Sequence, residues 1–154
     1  MQARLAAALV DDERWDEAIK VLQVMQFDPY EGERGTRPAY YGAYVGRGLQ
    51  RYRLGGLSGA LGDLKAALAY PRNIGVGKSY YCTDAKAFYW AGVVADELGE
   101  RERALGFWRD GADLRRRPAY DPDSPKLGND DEVRYYKSLC LQMVGRAGEA
   151  GELF

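Results

Sequence analysis

The sequence predicts an all-α protein of about four helical hairpins arranged as a repeat array, with long loops between hairpins. Three observations predict it. Alanine is abundant and isoleucine scarce, which favours helix over sheet. A pattern of helix, short turn and second helix recurs, aligned on Ala18, Ala60, Ala104 and Ala150 at intervals of 42, 44 and 46 residues. Stretches rich in proline, glycine and polar residues separate the units, where a helix cannot continue.

The first unit (2–27) carries Leu5 on its opening helix, turns at Asp11-Asp12-Glu13 and resumes with Trp15, Ala18 and Leu22. In the second (38–70), Tyr41, Tyr44, Val45, Gly48, Leu49 and Tyr52 are expected to face inward. Gly55-Gly56 makes the turn, and Ala60 with Leu64 marks the return helix. The third (84–117) has a stripe of Phe88, Ala91, Gly92, Ala95 and Leu98, a turn at Gly99-Glu100, then Ala104 and Trp108. The fourth (130–154) offers Val133, Tyr136, Cys140, Leu141 and Val144, turns at Gly145-Arg146 and ends on Ala150 and Phe154. Each alanine is therefore followed, one helical turn on, by a large apolar residue: Leu22, Leu64, Trp108 or Phe154. Gly48 and Gly92 stand at equivalent places, 12 residues ahead of their alanines. A helical glycine costs roughly 1 kcal/mol against alanine, a cost that close contact with the paired helix would offset. Asp84 is a candidate N-cap for the third unit, and Asn129 with Glu132 a capping box for the fourth. The loops from Asp28 to Arg37, Pro71 to Thr83 and Pro118 to Asp131 each join a second helix to the next first helix. All three should therefore emerge along one edge of the stack.

Composition excludes several kinds of chemistry. With no histidine among 154 residues, imidazole catalysis and histidine-ligated metals are ruled out. Two cysteines, Cys82 and Cys140, make neither a four-cysteine metal site nor a disulfide scaffold. A formal net charge of −1 supplies no overall field for nucleic acid or an anionic membrane. The apolar runs fall far short of a membrane span, and the expected setting is cytoplasmic.

These features resemble the tetratricopeptide repeat (TPR) family, helix-turn-helix units that stack into a right-handed superhelix. The resemblance is best in the third unit, at Phe88, Gly92, Gly99, Ala104 and Trp108. The first (Leu5, Trp15, Ala18, Leu22) and fourth (Leu141, Gly145, Ala150, Phe154) match more loosely. The second departs, with Arg47 and Arg51 where such helices bury apolar residues. The segments FDPYEGERGTRPAYYGAY (27–44) and YPRNIGVGKSYYCTDAKAFYWAG (70–92) resemble the C-terminal TPR region of large bacterial proteins. Those begin with a domain of unknown function and occur in carbohydrate-related contexts. The resemblance implies an all-α, right-handed superhelical array of about four TPR-like hairpins, one domain over 1–154, as part of a longer protein.

Several motifs invite chemical readings that their residues do not sustain. Asn73 to Ser79 ends like a phosphate-binding loop, but Arg72 replaces the required glycine and no strand precedes it. Asp121, Asp123, Asn129, Asp130, Asp131 and Glu132 suggest calcium, yet Lys126 occupies the place where an EF-hand loop needs glycine. Arg115, Arg116 and Arg117 read as the basic end of a helix. Cys82 and Cys140 lack an activating base, and the adjacent Asp96 and Glu97 point in different directions on a helix.

The remaining candidate is the groove that first helices line in a TPR stack. The resemblance maps it to Val45, Leu49, Tyr52 and Arg53, to Lys86, Tyr89, Val93 and Asp96, and to Glu132, Tyr135, Leu139 and Gln142. Tyr52, Arg53, Lys86, Tyr89, Asp96, Tyr135 and Gln142 are the expected binding residues. Tyrosine combines broad apolar contact with a hydrogen-bonding tip, which suits a peptide or a sugar; packing between neighbouring helices is the simpler role for the same rings. The expectation is a non-catalytic interaction or scaffold module that binds a protein or peptide and takes no cofactor, metal, nucleic acid or membrane. The alternatives are a carbohydrate-recognising or substrate-positioning module of a glycan-processing protein, and a self-association module. The last rests on Leu153 and Phe154 at an uncapped C-terminal end, which would pair as a homodimer.

Overall fold

The computed structural model describes residues 2–26, 36–75, 77–78, 81–115 and 130–154, the side chain of Asp130 excepted. Its regular elements are helices: α1 Gln2–Asp11, α2 Trp15–Val24, α3 Thr36–Arg53, α4 Leu57–Ala67, α5 Ala85–Glu97, α6 Arg101–Ala112, α7 Asp130–Met143 and α8 Ala147–Gly151. A single 3-10 turn, Arg72–Ile74, follows α4, and no strand occurs among the described residues. The chain divides into two compact units, Met1–Lys78 and Ser79–Phe154, each holding two hairpins. In the first unit α1 pairs with α2 and α3 with α4, and α3 also lies against both helices of the first hairpin. The second unit repeats this, α7 lying against both α5 and α6.

The four hairpins share one turn. Glu13, Gly55, Gly99 and Gly145 adopt φ of 58°, 81°, 80° and 79°. The next residue in each, Arg14, Gly56, Glu100 or Arg146, sends its N–H back to the carbonyl of Leu9, Arg51, Ala95 or Leu141 at 2.8–2.9 Å. This closes the first helix with a left-handed residue, where glycine has no Cβ to clash. The hydrogen bond from each alanine to the residue four earlier then opens the second helix.

Ala18, Ala60 and Ala104 are fully buried and Ala150 nearly so, each where two helices meet. Leu22, Leu64 and Trp108 are likewise buried, but Phe154 is 78% exposed. The physical reason is that α8 stops at Gly151, so Phe154 lies beyond the helix and Leu153 fills the inner position. Leu5 is also half exposed, and Ala6 and Leu9 form the inner face of α1.

Both interior glycines mark close approach. A Cβ on Gly48 would lie 3.1 Å from Leu64 Cγ and 3.3 Å from Asp63 Cβ. On Gly92 it would overlap the Trp108 indole, 2.5 Å from Cδ1 and closer still to Nε1. That indole is fixed, because its N–H donates to the Tyr89 carbonyl at 3.1 Å. Two glycines not singled out by the repeat do similar work: Gly46 accepts the Trp15 ring and Gly111 the Cys140 sulfur.

Arg47 and Arg51, anomalous for a buried face, have a counter-charge. Asp63 on α4 is buried, and Arg47 grips it with Nε to Oδ2 at 3.0 Å and Nη2 to Oδ1 at 2.7 Å. Arg51 Nη1 reaches Asp63 Oδ2 at 3.0 Å, and Arg47 Nη1 reaches Asp16 on α2 at 2.8 Å. Arg47 therefore ties three helices together, and it holds the Asp16 carboxyl below its ordinary range.

Second helices end without a glycine cap, and distant side chains take up several of the freed carbonyls. Asn73 Nδ2 donates to the Leu22 and Met25 carbonyls. At the end of α4, the Tyr40 hydroxyl donates to Ala66 O at 2.8 Å and Arg37 Nη2 to Ala67 O at 2.9 Å. Lys137 donates to Leu114 O beyond α6.

Some boundaries differ from expectation. Helix α3 starts at Thr36, with Pro38 in its first turn where no N–H partner is lost. Helix α6 ends at Ala112, so Arg115 lies past it, and its last-turn cation is Arg109. Arg116 and Arg117 are outside the described residues. Asp84 does sit at the N-cap of α5, but its side chain makes no capping bond. Asn129 lies outside the described residues.

Two expectations follow. Gly92→Ala should destabilise by roughly 2–3 kcal/mol through overpacking against a pinned indole, whereas Gly62→Ala, which meets no atom within 4 Å on α4, should gain about 0.5–1 kcal/mol; urea unfolding separates them. Asp63→Asn should cost roughly 2–4 kcal/mol by leaving two guanidinium groups without their buried carboxylate, and Arg47→Met/Asp63→Leu together should recover part of that loss.

Candidate functional site

The expected binding residues divide between the two units. Tyr52 and Arg53 close α3 in the first, the tyrosine half-buried and the arginine exposed. Lys86, Tyr89 and Asp96 on α5, with Tyr135 and Gln142 on α7, belong to the second. Within that unit the packing of α7 on α5 brings four of the groove positions into one cluster.

Lys86 Nζ donates to Glu132 Oε1 at 3.0 Å and lies 5.6 Å from the centre of the Tyr136 ring. The Tyr136 ring stands 5.7 Å from Tyr89, tilted by 45°, and 5.2 Å from Tyr135, near edge-on at 78°. Tyr89 in turn meets Trp90 edge-on at 5.5 Å. Tilted and edge-to-face rings set the positive edge of one against the negative face of another, which braces the group. Burial raises the Tyr89 hydroxyl above its ordinary value.

Tyr136 is the residue this cluster turns on, and the groove mapping passes over it. Its signal was its place in the apolar stripe of the fourth unit, the register that Trp90 occupies one repeat earlier. The structure places it half-buried between the two tyrosines that the mapping did name. Ser138, buried, donates to the Tyr135 carbonyl at 2.7 Å and fixes the backbone beneath the most exposed ring.

The other groove positions are not drawn in. Asp96 is exposed and pairs with Arg101 at 2.8 Å, while Gln142 is exposed on the last turn of α7. Val93 and Leu139 are half-buried.

The motifs with chemical readings have structural explanations where they are described. Arg72–Ile74 is the 3-10 turn after α4, and Asn73 serves the carbonyls of α2; Val76 and Ser79 lie outside the described residues. Of the acidic run, Asp131 pairs with Arg134 and Glu132 with Lys86; residues 121–129 and the Asp130 side chain lie outside the described residues. Among the described residues no cluster of three or more histidine, cysteine, aspartate or glutamate side chains could hold a metal, and no helix is long and apolar enough to cross a membrane. Both cysteines are buried, and burial pushes the Cys140 thiol up to about 12.

The cluster can therefore offer aromatic surface and one braced ion pair. Comparison with known proteins finds no matching family model, curated protein or solved structure. In a thiol-labelling experiment at pH 8, Cys82 and Cys140 should both resist alkylation in the native protein and react promptly once denaturant is added.

Proposed function

We propose that this chain is a non-catalytic helical-repeat module of the TPR type, a right-handed superhelical array of hairpins that binds a protein or peptide through its tyrosine-bearing first helices. The recurring turn, and within each unit the packing of the second hairpin's first helix (α3 or α7) on the hairpin before it, support the repeat reading. The observation that carries the functional reading is Tyr135. It is 53% exposed yet braced by Tyr136, which Tyr89 and Lys86 brace in turn. A ring already held in place loses little freedom on binding, so its contact area converts efficiently into affinity. No cofactor enters this reading. Its proposed setting is cytoplasmic.

The test is a peptide-display selection against the immobilised chain, with affinities measured by fluorescence anisotropy. Selected peptides should bind the parent, and Tyr135→Ala and Tyr89→Ala should each weaken binding by about tenfold or more with helicity unchanged by circular dichroism. Peptides that bind the variants as well as the parent, or a selection that yields none, would refute it. The same ring faces beside the Lys86–Glu132 pair suit carbohydrate, so a glycan array run in parallel separates that reading.

A further inference from the structure

We infer that the 3-10 turn Arg72–Ile74 is a clasp on the end of α2, and that the clasp and the last turn of α2 close and open together while α3 and α4 stay folded. The inference is independent of peptide binding and lies wholly within the first unit. A 3-10 turn of three residues cannot hold itself. Its backbone bonds, Ile74 N–H to Pro71 O at 3.3 Å and Gly75 N–H to Arg72 O at 3.0 Å, are too few to offset the backbone freedom they fix. Docking on α2 holds it instead, and two side chains carry the docking. Ile74 is fully buried, and Asn73 gives Nδ2 to Leu22 O at 2.8 Å and to Met25 O at 3.2 Å. Arg72 and Gly75 on either side are exposed, and Gly75 leaves the turn with a φ of 67°. Forming the turn and docking it are therefore one event.

The end of α2 needs the turn in its own way. The chain leaves the helix at Met25, where ψ is 143°, so no further helical turn supplies a donor to the Leu22 carbonyl. One amide group, 48 and 51 residues along the chain, serves both carbonyls. Each segment thus lends the other the bonds it lacks. Coupling of that kind is reciprocal: whatever loosens one loosens the other, and a ligand or modification that orders one orders both. The α3–α4 hairpin does not share this dependence. Gly48 against Leu64, and Arg47 and Arg51 on Asp63, tie it without the clasp. Giving up one apolar side chain and two hydrogen bonds is a smaller event than unfolding the unit, so the clasp opens from the native state.

Native-state hydrogen exchange of the whole chain tests this. The amides of Met25, Ile74 and Gly75 each donate to a backbone carbonyl. They should share one protection factor, about tenfold or more below that of the buried stretches of α3 and α4, and insensitive to low urea. Asn73→Asp keeps the shape of the side chain without its donors, and should lower all three by about tenfold while α3 and α4 hold theirs. Val24→Pro, at a 71% exposed position, breaks the last turn of α2 and should lower Ile74 and Gly75 by about tenfold or more. Arg72→Ala, on the exposed side of the turn, should leave all three unchanged. The inference is overturned if the three amides exchange only together with α3 and α4, or if either variant strips α3 and α4 of protection as well. It is overturned equally if Met25 keeps its protection in Asn73→Asp, if Ile74 and Gly75 keep theirs in Val24→Pro, or if Arg72→Ala matches Asn73→Asp.

Discussion

Everything in this fold depends on how closely the two helices of a hairpin can approach. Where α3 meets α4 and where α5 meets α6, one side of the contact carries glycine and the other a buried alanine and a large side chain. At Gly48 the neighbours are Leu64, Asp63 and the Ala60 carbonyl; at Gly92 the neighbour is the Trp108 indole. Removing a Cβ from one helix creates the slot that the large side chain of the other fills, so the interior keeps its packing density without a large aliphatic core. This accounts for a composition that looks contradictory at first: helical by its alanine, yet rich in a residue that weakens helices. Gly46, Gly48, Gly92 and Gly111 stand where a neighbour comes close, and Gly55, Gly99 and Gly145 where a first helix stops, whereas Gly62 and Gly106 meet nothing.

The repeat was legible because its determinants are local and periodic. The four alanines, the turn residues and the glycines 12 residues upstream can be read along the chain, and each has a partner within its own hairpin. Long-range pairings were less visible. Arg47 and Arg51 looked like a misfit on an inner face, because the side chain that answers them, Asp63, lies in a different helix and carries no mark of its own. Tyr136 was legible as an apolar position, but its place between Tyr89 and Tyr135 depends on the register of α7 on α5. The exposure of Phe154 escaped because the spacing rule assumes that the helix continues, whereas α8 ends at Gly151.

The two ends of the hairpins solve the same problem by different means. First helices end locally, through a left-handed residue and a backbone hydrogen bond. Second helices end through side chains from elsewhere: Asn73 for α2, Tyr40 and Arg37 for α4. The intervals of 42, 44 and 46 are accordingly not a fixed period, and one of the loops supplies Asn73 to the end of α2.

The turn at Glu13 differs from its three counterparts in one respect. Gly55, Gly99 and Gly145 enter the left-handed region freely, while Glu13 holds a φ of 58° with a full side chain, at a cost of roughly 1 kcal/mol. The hydrogen bonds that close the turn are the same, and they hold the exposed Glu13 in this conformation. The first hairpin therefore carries a built-in handicap against its siblings. Strain at this turn favours local opening between α1 and α2 while α3 and α4 remain paired. In hydrogen-exchange terms, the amides of α1 should form a separate and less protected class from those of α3, a gradient written into the chain by one missing glycine.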